Sequence, residues 1–272
     1  MIRIIFGNPG AGKTSLLASL ACADMTVNAR NYLLPCRKEI SVLNSGGYNL
    51  TVPDKHIVFS NISITSEPVN MLPRKSWYVN PAKIALPNKT FPTVFLPPYA
   101  QIYISEAQKF YNSREYKKLA DAVSRWYETH RHNGHNVTLD CQRSTLIDLN
   151  IRGIAEEFIL PLSLKHKYNS LGGLTASEWK CIVLFSCYDV DKYLQTGELP
   201  KNHEKRVYKH EGNVFNTYDS RFAKLYHLRG RQNQDFELTH FPTVELNVEA
   251  IERFNEKFGY EFEGAKTNGG TH

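Results

Sequence analysis

The chain has 272 residues, enough for one large α/β domain or a domain with a smaller appendage. Its 42% hydrophobic and 22% charged residues suit an ordinary soluble globular protein, and no apolar run reaches the roughly 18 residues needed to span a bilayer. Lys plus Arg number 33 against 27 Asp plus Glu, a net +6 spread along the chain, which is compatible with nucleic acid as a partner without establishing it.

The N-terminus runs straight into Ile2–Phe6 (IRIIF), an apolar β-rich run that reads as a buried parallel strand and not as a signal peptide. Residues 14–23 carry Leu and Ala at helical spacing without a breaker, so a helix follows. Residues 57–64 (IVFSNISI) predict a second strand. Seven prolines over 66–98 predict an irregular excursion or a small hairpin, closed by a third strand that ends at Ile104. Residues 114–133 place Leu119, Val123, Trp126 and Tyr127 on one face of a helix that ends near Gly134. A fourth strand is expected at 137–141, a helix at 144–157, and further strands at 158–164 and 181–188. Beyond about 190 the chain is polar and without clear periodicity. Strands alternating with helices predict a mostly parallel central sheet flanked by helices. The expected division is a core at 1–190, with the Pro-rich insertion at about 66–98, and a C-terminal extension at 191–272 packed on it. The five cysteines form no CxxC pair and no even disulfide framework, which fits a reducing cytosol.

Residues 7–14 read Gly-Asn-Pro-Gly-Ala-Gly-Lys-Thr, a complete phosphate-binding loop between a strand and a helix. Gly7, Gly10 and Gly12 free the backbone to point successive N–H groups at phosphates, and Asn8, Pro9 and Ala11 fill the turn between them. The helix start at Lys13, Thr14 and Ser15 adds its dipole to the same anion. Lys13 is placed to reach the β- and γ-phosphates, and the Thr14 hydroxyl to ligate Mg²⁺. The expected ligands are therefore ATP and Mg²⁺.

Residues 100–106 (AQIYISE) have the Walker B form, an apolar strand ending in acid. Glu106 is the candidate base that polarises water, and Ser105 stands at the position of the usual metal-serving Asp, where it can hydrogen-bond only a metal-bound water. Residues 137–142 (VTLDCQ) end a neighbouring strand on Gln142, a candidate sensor of the γ-phosphate. Arg125, Arg131, Arg143 and Arg152 form a basic series, from which one could act on a neighbouring subunit's nucleotide as an arginine finger. The His130-Arg131-His132 run lacks partners at metal spacing.

With these motifs in order, the chain resembles the zonula occludens toxin (Zot) family of filamentous-phage (inovirus) assembly and export ATPases. The likeness is carried by GNPGAGKTS at the N-terminus, VFSNI near 58–62, ISEAQKFYNSR at 104–114, HRHNGHNVTLDCQ at 130–142, LIDLNIRGIAEEFI at 146–159 and VFNTYDSRFAKLY at 214–226. The resemblance implies a P-loop NTPase of the FtsK–HerA-like class, a motor that extrudes single-stranded DNA with its coat. It implies a homo-oligomer such as a hexamer, with phage coat and assembly proteins as partners and DNA contacted directly or indirectly. The expected place is the host cytoplasm, at the cytoplasmic face of the inner membrane. The sequence ends at His272 without the membrane helix common after such domains, so the membrane would be reached through a partner or a further segment. Ser105 departs from the family's Asp and bears on hydrolysis more than on binding. Two other readings of the phosphate loop are a nucleotide-switched scaffold with little turnover and a P-loop kinase of a small metabolite.

Overall fold

The computed structural model of the chain describes residues 1–26, 58–66, 74–84, 100–114, 121–132 and 134–218. Strand β1 (Ile2–Phe6) alternates its side chains between two cores, because successive residues of a strand point to opposite faces. Ile2, Ile4 and Phe6 join one apolar cluster, while Ile5 joins the other. Helix α1 (Lys13–Thr26) covers the second face with Leu16, Leu17, Ala21 and Met25. Leu16 and Leu17 are fully buried, and each such side chain contributes about 1.5–3 kcal/mol to the packing.

Strand β2 is Val58–Ser60, shorter than the 57–64 run suggested. The Ser60 hydroxyl accepts the Ile62 N–H at 3.2 Å and turns the chain out of the sheet. The chain then forms a two-stranded hairpin from β3 (Thr65–Ser66) and β4 (Arg74–Lys75), and β5 (Trp77–Tyr78) returns to pair with β2. An antiparallel strand pair thus stands where an irregular excursion or a small hairpin was expected, whereas residues 67–73 and 85–99 lie outside the described ones. Strand β6 (Gln101–Ile104) is buried along its length, and helix α2 (Asp121–Thr129) packs Val123 and Tyr127 onto the first core. Leu119, assigned to the same helical face, lies outside the described residues.

Strand β7 (Asn136–Cys141) falls where the sequence placed it. The helix expected at 144–157 is instead a single 3₁₀ turn followed by α3 (Leu149–Ile154). Ile147 is extended, and Asp148 restarts the helix by accepting the Asn150 N–H at 2.9 Å. Strands β8 (Glu157–Tyr168) and β9 (Leu174–Leu184) form a long antiparallel hairpin. The strand read at 181–188 stops at Leu184 because Ser186 caps helix α4 (Cys187–Thr196), its hydroxyl accepting the Asp189 N–H at 3.1 Å. Strand β10 (His203–Glu211), from the region given to the C-terminal extension, adds an antiparallel edge to the same sheet.

The eight-stranded order is β10-β9-β8-β1-β7-β6-β2-β5. Pairings from β8 through β5 are parallel, and only the β8-β9-β10 portion is antiparallel. The mostly parallel sheet with helices on both faces is therefore present. Among the described residues no helix is long and apolar enough to cross a membrane.

Candidate functional site

Four neighbouring parallel strands, β1, β7, β6 and β2, deliver polar residues to one edge of the sheet, because parallel strands all end on the same side. These ends carry Gly7, Asp140 with Gln142, Ser105 with Glu106, and Asn61. The site is this edge.

The phosphate loop joins β1 to α1. Gly10 (φ +82°) and Gly12 (φ +77°) take the left-handed backbone that only glycine adopts without strain. Asn8, Pro9 and Gly10 are exposed, while Ala11, Gly12, Lys13 and Thr14 are half-buried. The Gly12 carbonyl is held by three donors: the Leu16 N–H at 2.9 Å, the Ser15 hydroxyl at 2.9 Å and the Trp179 indole N–H at 3.2 Å. The buried Ser15 hydroxyl is thus turned inward onto the loop, leaving the backbone at the mouth. The Lys13 ammonium donates to the Asn8 carbonyl at 2.9 Å, spanning the loop. The Gly7 N–H points to the Gln142 carbonyl at 3.4 Å, tying the loop to β7.

A Cβ at Gly12 would lie 2.8 Å from Leu164 Cδ2 and 2.9 Å from Trp179 Nε1, whereas one at Gly10 meets nothing within 4 Å. Gly12→Ala adds overpacking to backbone strain and is expected to cost about 2–4 kcal/mol, against about 1 kcal/mol for Gly10→Ala. Urea midpoints of the two variants check this. Equal midpoints would show that Leu164 and Trp179 do not brace the loop.

Glu106 is the one non-glycine residue with positive φ among the described residues (φ 51°, ψ 45°). Such a conformation costs about 1 kcal/mol or more and persists where surrounding bonds dictate it. Here they do. Its N–H donates to Asp140 Oδ1 at 2.7 Å, and the preceding Ser105 N–H donates to Asn61 Oδ1 at 2.7 Å. Asn61 Nδ2 returns a bond to the Ser105 carbonyl at 2.9 Å. The Glu106 carboxylate itself is partly exposed and ion-paired with Lys109, one turn on. Ser105 is buried, and its hydroxyl donates to Asp140 Oδ2 at 3.0 Å.

Asp140 is 1% exposed. Burial raises its carboxyl above the ordinary value, against the Glu106 N–H, the Thr14 and Ser105 side chains and the Lys13 charge, which all favour the ionised form. The folded state therefore holds this proton more tightly than the unfolded chain. Stability contributed by the group is present at low pH and falls as the pH climbs from the ordinary carboxylate value through the raised one.

The sequence reading gave Lys13, Thr14, Ser105, Glu106 and Gln142, and all five fall at this edge. It missed Asn61 and Asp140. The usable signal was present: each is a polar residue at or next to the end of an apolar strand, like Glu106. Gln142 is exposed just past the end of β7, and its carbonyl accepts the Gly7 N–H.

The arginines are dispersed. Arg143 is exposed just past the end of β7, at the site edge, and Arg125 is exposed on α2. Arg131 is at the opposite edge, where it pairs with Glu156 at 3.2 Å beside the first residue of the chain. Five residues of β1, at about 3.3 Å each, separate it from its own loop. Arg152 is committed inside the chain, bonded to Asp191 at 3.0 Å.

The donor set fits a magnesium nucleotide. The loop offers backbone N–H groups and an ammonium for phosphate, and Thr14, Ser105 and Asp140 are oxygen donors of the kind magnesium takes.

Residues 84–168 match the family model described as zonular occludens toxin (Zot). The matched span takes in Glu106 and Asp140, while the phosphate loop precedes it. The resemblance read from the sequence is thereby borne out. No curated protein matches the chain. Among solved structures, the chain is similar to the N-terminal domain of zonular occludens toxin from Neisseria meningitidis, with a TM-score of 0.50 and 18% identity over 80% of this chain and 98% of that one. This likeness is one of fold. Weaker likenesses include the genome packaging NTPase B204 from Sulfolobus turreted icosahedral virus 2. In complex with ATP-gammaS it gives a TM-score of 0.34 and 13% identity over 63% of this chain and 76% of that one. In complex with sulfate it gives 0.37 and 11% over 78% and 96%.

Proposed function

Because residues 84–168 match the Zot family model, we propose that the chain is an ATP-driven motor for assembly and extrusion of filamentous phage particles. The observation that carries this reading is the phosphate loop standing on the same sheet edge as Glu106, which is held in a strained turn by Asn61 and Asp140. A loop of this kind with a carboxylate opposite is arranged for phosphoryl transfer to water.

In this reading the backbone N–H groups of residues 10–14 cradle the triphosphate of ATP, and Lys13 exchanges the Asn8 carbonyl for phosphate oxygens. Thr14 serves the metal. The magnesium it would hold would supply positive charge to offset that of the phosphates. Glu106 takes the proton of the attacking water once its carboxylate leaves Lys109. Gln142 contacts the γ-phosphate from the end of β7. Arg143, exposed at this edge, is the arginine best placed to reach across to a neighbouring subunit in an oligomer such as a hexamer. The cargo is single-stranded DNA with its coat protein, met at the cytoplasmic face of the inner membrane.

One observation favours a second reading. The Glu106–Lys109 pair occupies the base, and a chain that keeps it would bind ATP and recruit partners with little turnover. Sizing the protein with and without ATP–Mg²⁺, while measuring phosphate release, separates the two. Release together with ATP-dependent assembly is expected. Assembly without release would favour the scaffold, and no nucleotide binding at all would overturn both.

A further inference from the structure

We propose that Asp140, on the strand beside the one that carries Glu106, supplies the carboxylate that serves the metal of the bound nucleotide, in place of the uncharged Ser105. This rests on the nucleotide-site reading above and names a residue for it.

The placement is the first argument. Asp140 ends β7 next to both halves of the site: it accepts the Ser105 hydroxyl (3.0 Å) and the Glu106 N–H (2.7 Å), and the Thr14 side chain and Lys13 charge of the phosphate loop are near enough to favour its ionised form. The carboxylate thus lies between the loop hydroxyl that such loops give to magnesium and the turn that presents the base. A pair of strands does here what one strand end does when acid follows acid.

Charge is the second argument. An asparagine would keep one acceptor oxygen for the Glu106 N–H and set an NH₂ group against the Ser105 hydroxyl, whereas Asp140 presents two oxygens and no donor, the ligand type a divalent cation takes. Asp140 is 1% exposed, so its carboxylate is shielded from water and faces the site. A divalent cation at Thr14 would add a counter-charge to that of Lys13. Ser105 then has a clear task of its own: its hydroxyl donates to Asp140 Oδ2 and fixes the carboxylate's orientation.

The test uses binding and not turnover. A fluorescent ATP analogue is titrated into the protein in EDTA and across a Mg²⁺ series, with Mn²⁺ binding followed by paramagnetic resonance as a second readout. Asp140→Asn keeps the shape and the acceptor for the Glu106 N–H, and its melting curve checks that it folds. Its metal-free nucleotide affinity should stay within about twofold of wild type, while its half-saturating Mg²⁺ rises by about 10–100-fold. The Ser105→Asp/Asp140→Asn double variant moves the carboxylate one strand over and should regain the metal response. If Asp140→Asn responds to Mg²⁺ as wild type does, Asp140 has no such role. Should Asp140→Asn fail to fold, the double variant decides alone, a regained response supporting the assignment and a missing one overturning it. Wild-type protein that binds no nucleotide even in EDTA would instead remove the nucleotide reading itself.

Discussion

Lys13→Ala is expected to bind ATP about ten- to a hundredfold more weakly in a calorimetric titration. The side chain bears the loop's mobile positive charge, and a charge-assisted bond in such a site is worth about 1.5–3 kcal/mol, or up to about two decades of affinity. The fold should be indifferent to the change. Lys13 is half-buried, and the bond it makes, to the Asn8 carbonyl at 2.9 Å, joins exposed partners. Losing it costs about 1 kcal/mol at most, so the melting temperature stays within a few degrees. Undiminished ATP affinity in this variant would mean that residues 7–14 are a glycine-rich turn and no phosphate site.

Glu106→Gln should separate binding from chemistry. The amide keeps the size of the side chain and its left-handed backbone, but it cannot take a proton from water. Nucleotide affinity is expected to hold within about threefold while phosphate release falls by about 10²–10⁴, the usual worth of a positioned general base. The ion pair with Lys109 is lost as well, and for a pair this exposed that matters by less than about 1 kcal/mol. Single-turnover release with an excess of protein over ATP measures the chemical step directly. A variant that turns over at the wild-type rate would show that Glu106 is not the base and that its strained turn has another cause.

The parts of this architecture that depend on local chemistry were readable in the sequence. The loop announces itself through glycine spacing, and β1, α1, β6 and β7 through unbroken apolar runs or helical period. What could not be read depends on pairing between distant segments. Asp140 looks like an ordinary polar end to VTLDCQ until β6 is laid beside β7, bringing residues 34 positions apart into hydrogen-bond contact. Asn61 is hidden in the same way, since its partner, Ser105, is 44 residues away. Strand β10 was missed for a different reason. Its inward positions include Arg206, Tyr208 and His210, whose polar tips mask the period-two pattern, and Arg206 is held by Glu157 on another strand as well as by Glu204 and Tyr208 on its own. The helix expected at 144–157 failed at Asp148, where a side chain that caps a new helix also ends the preceding turn.

The brace of the phosphate loop has an optical consequence. The chain has three tryptophans, and Trp179 has its indole N–H on the Gly12 carbonyl, at 3.2 Å, with its ring fully buried. Indole emission depends on the partner of that N–H and on the polarity around the ring. Any rearrangement of the loop that moves Gly12 therefore changes the light this residue emits, and with Trp77 and Trp126 replaced the protein carries its own label for the occupancy of its site.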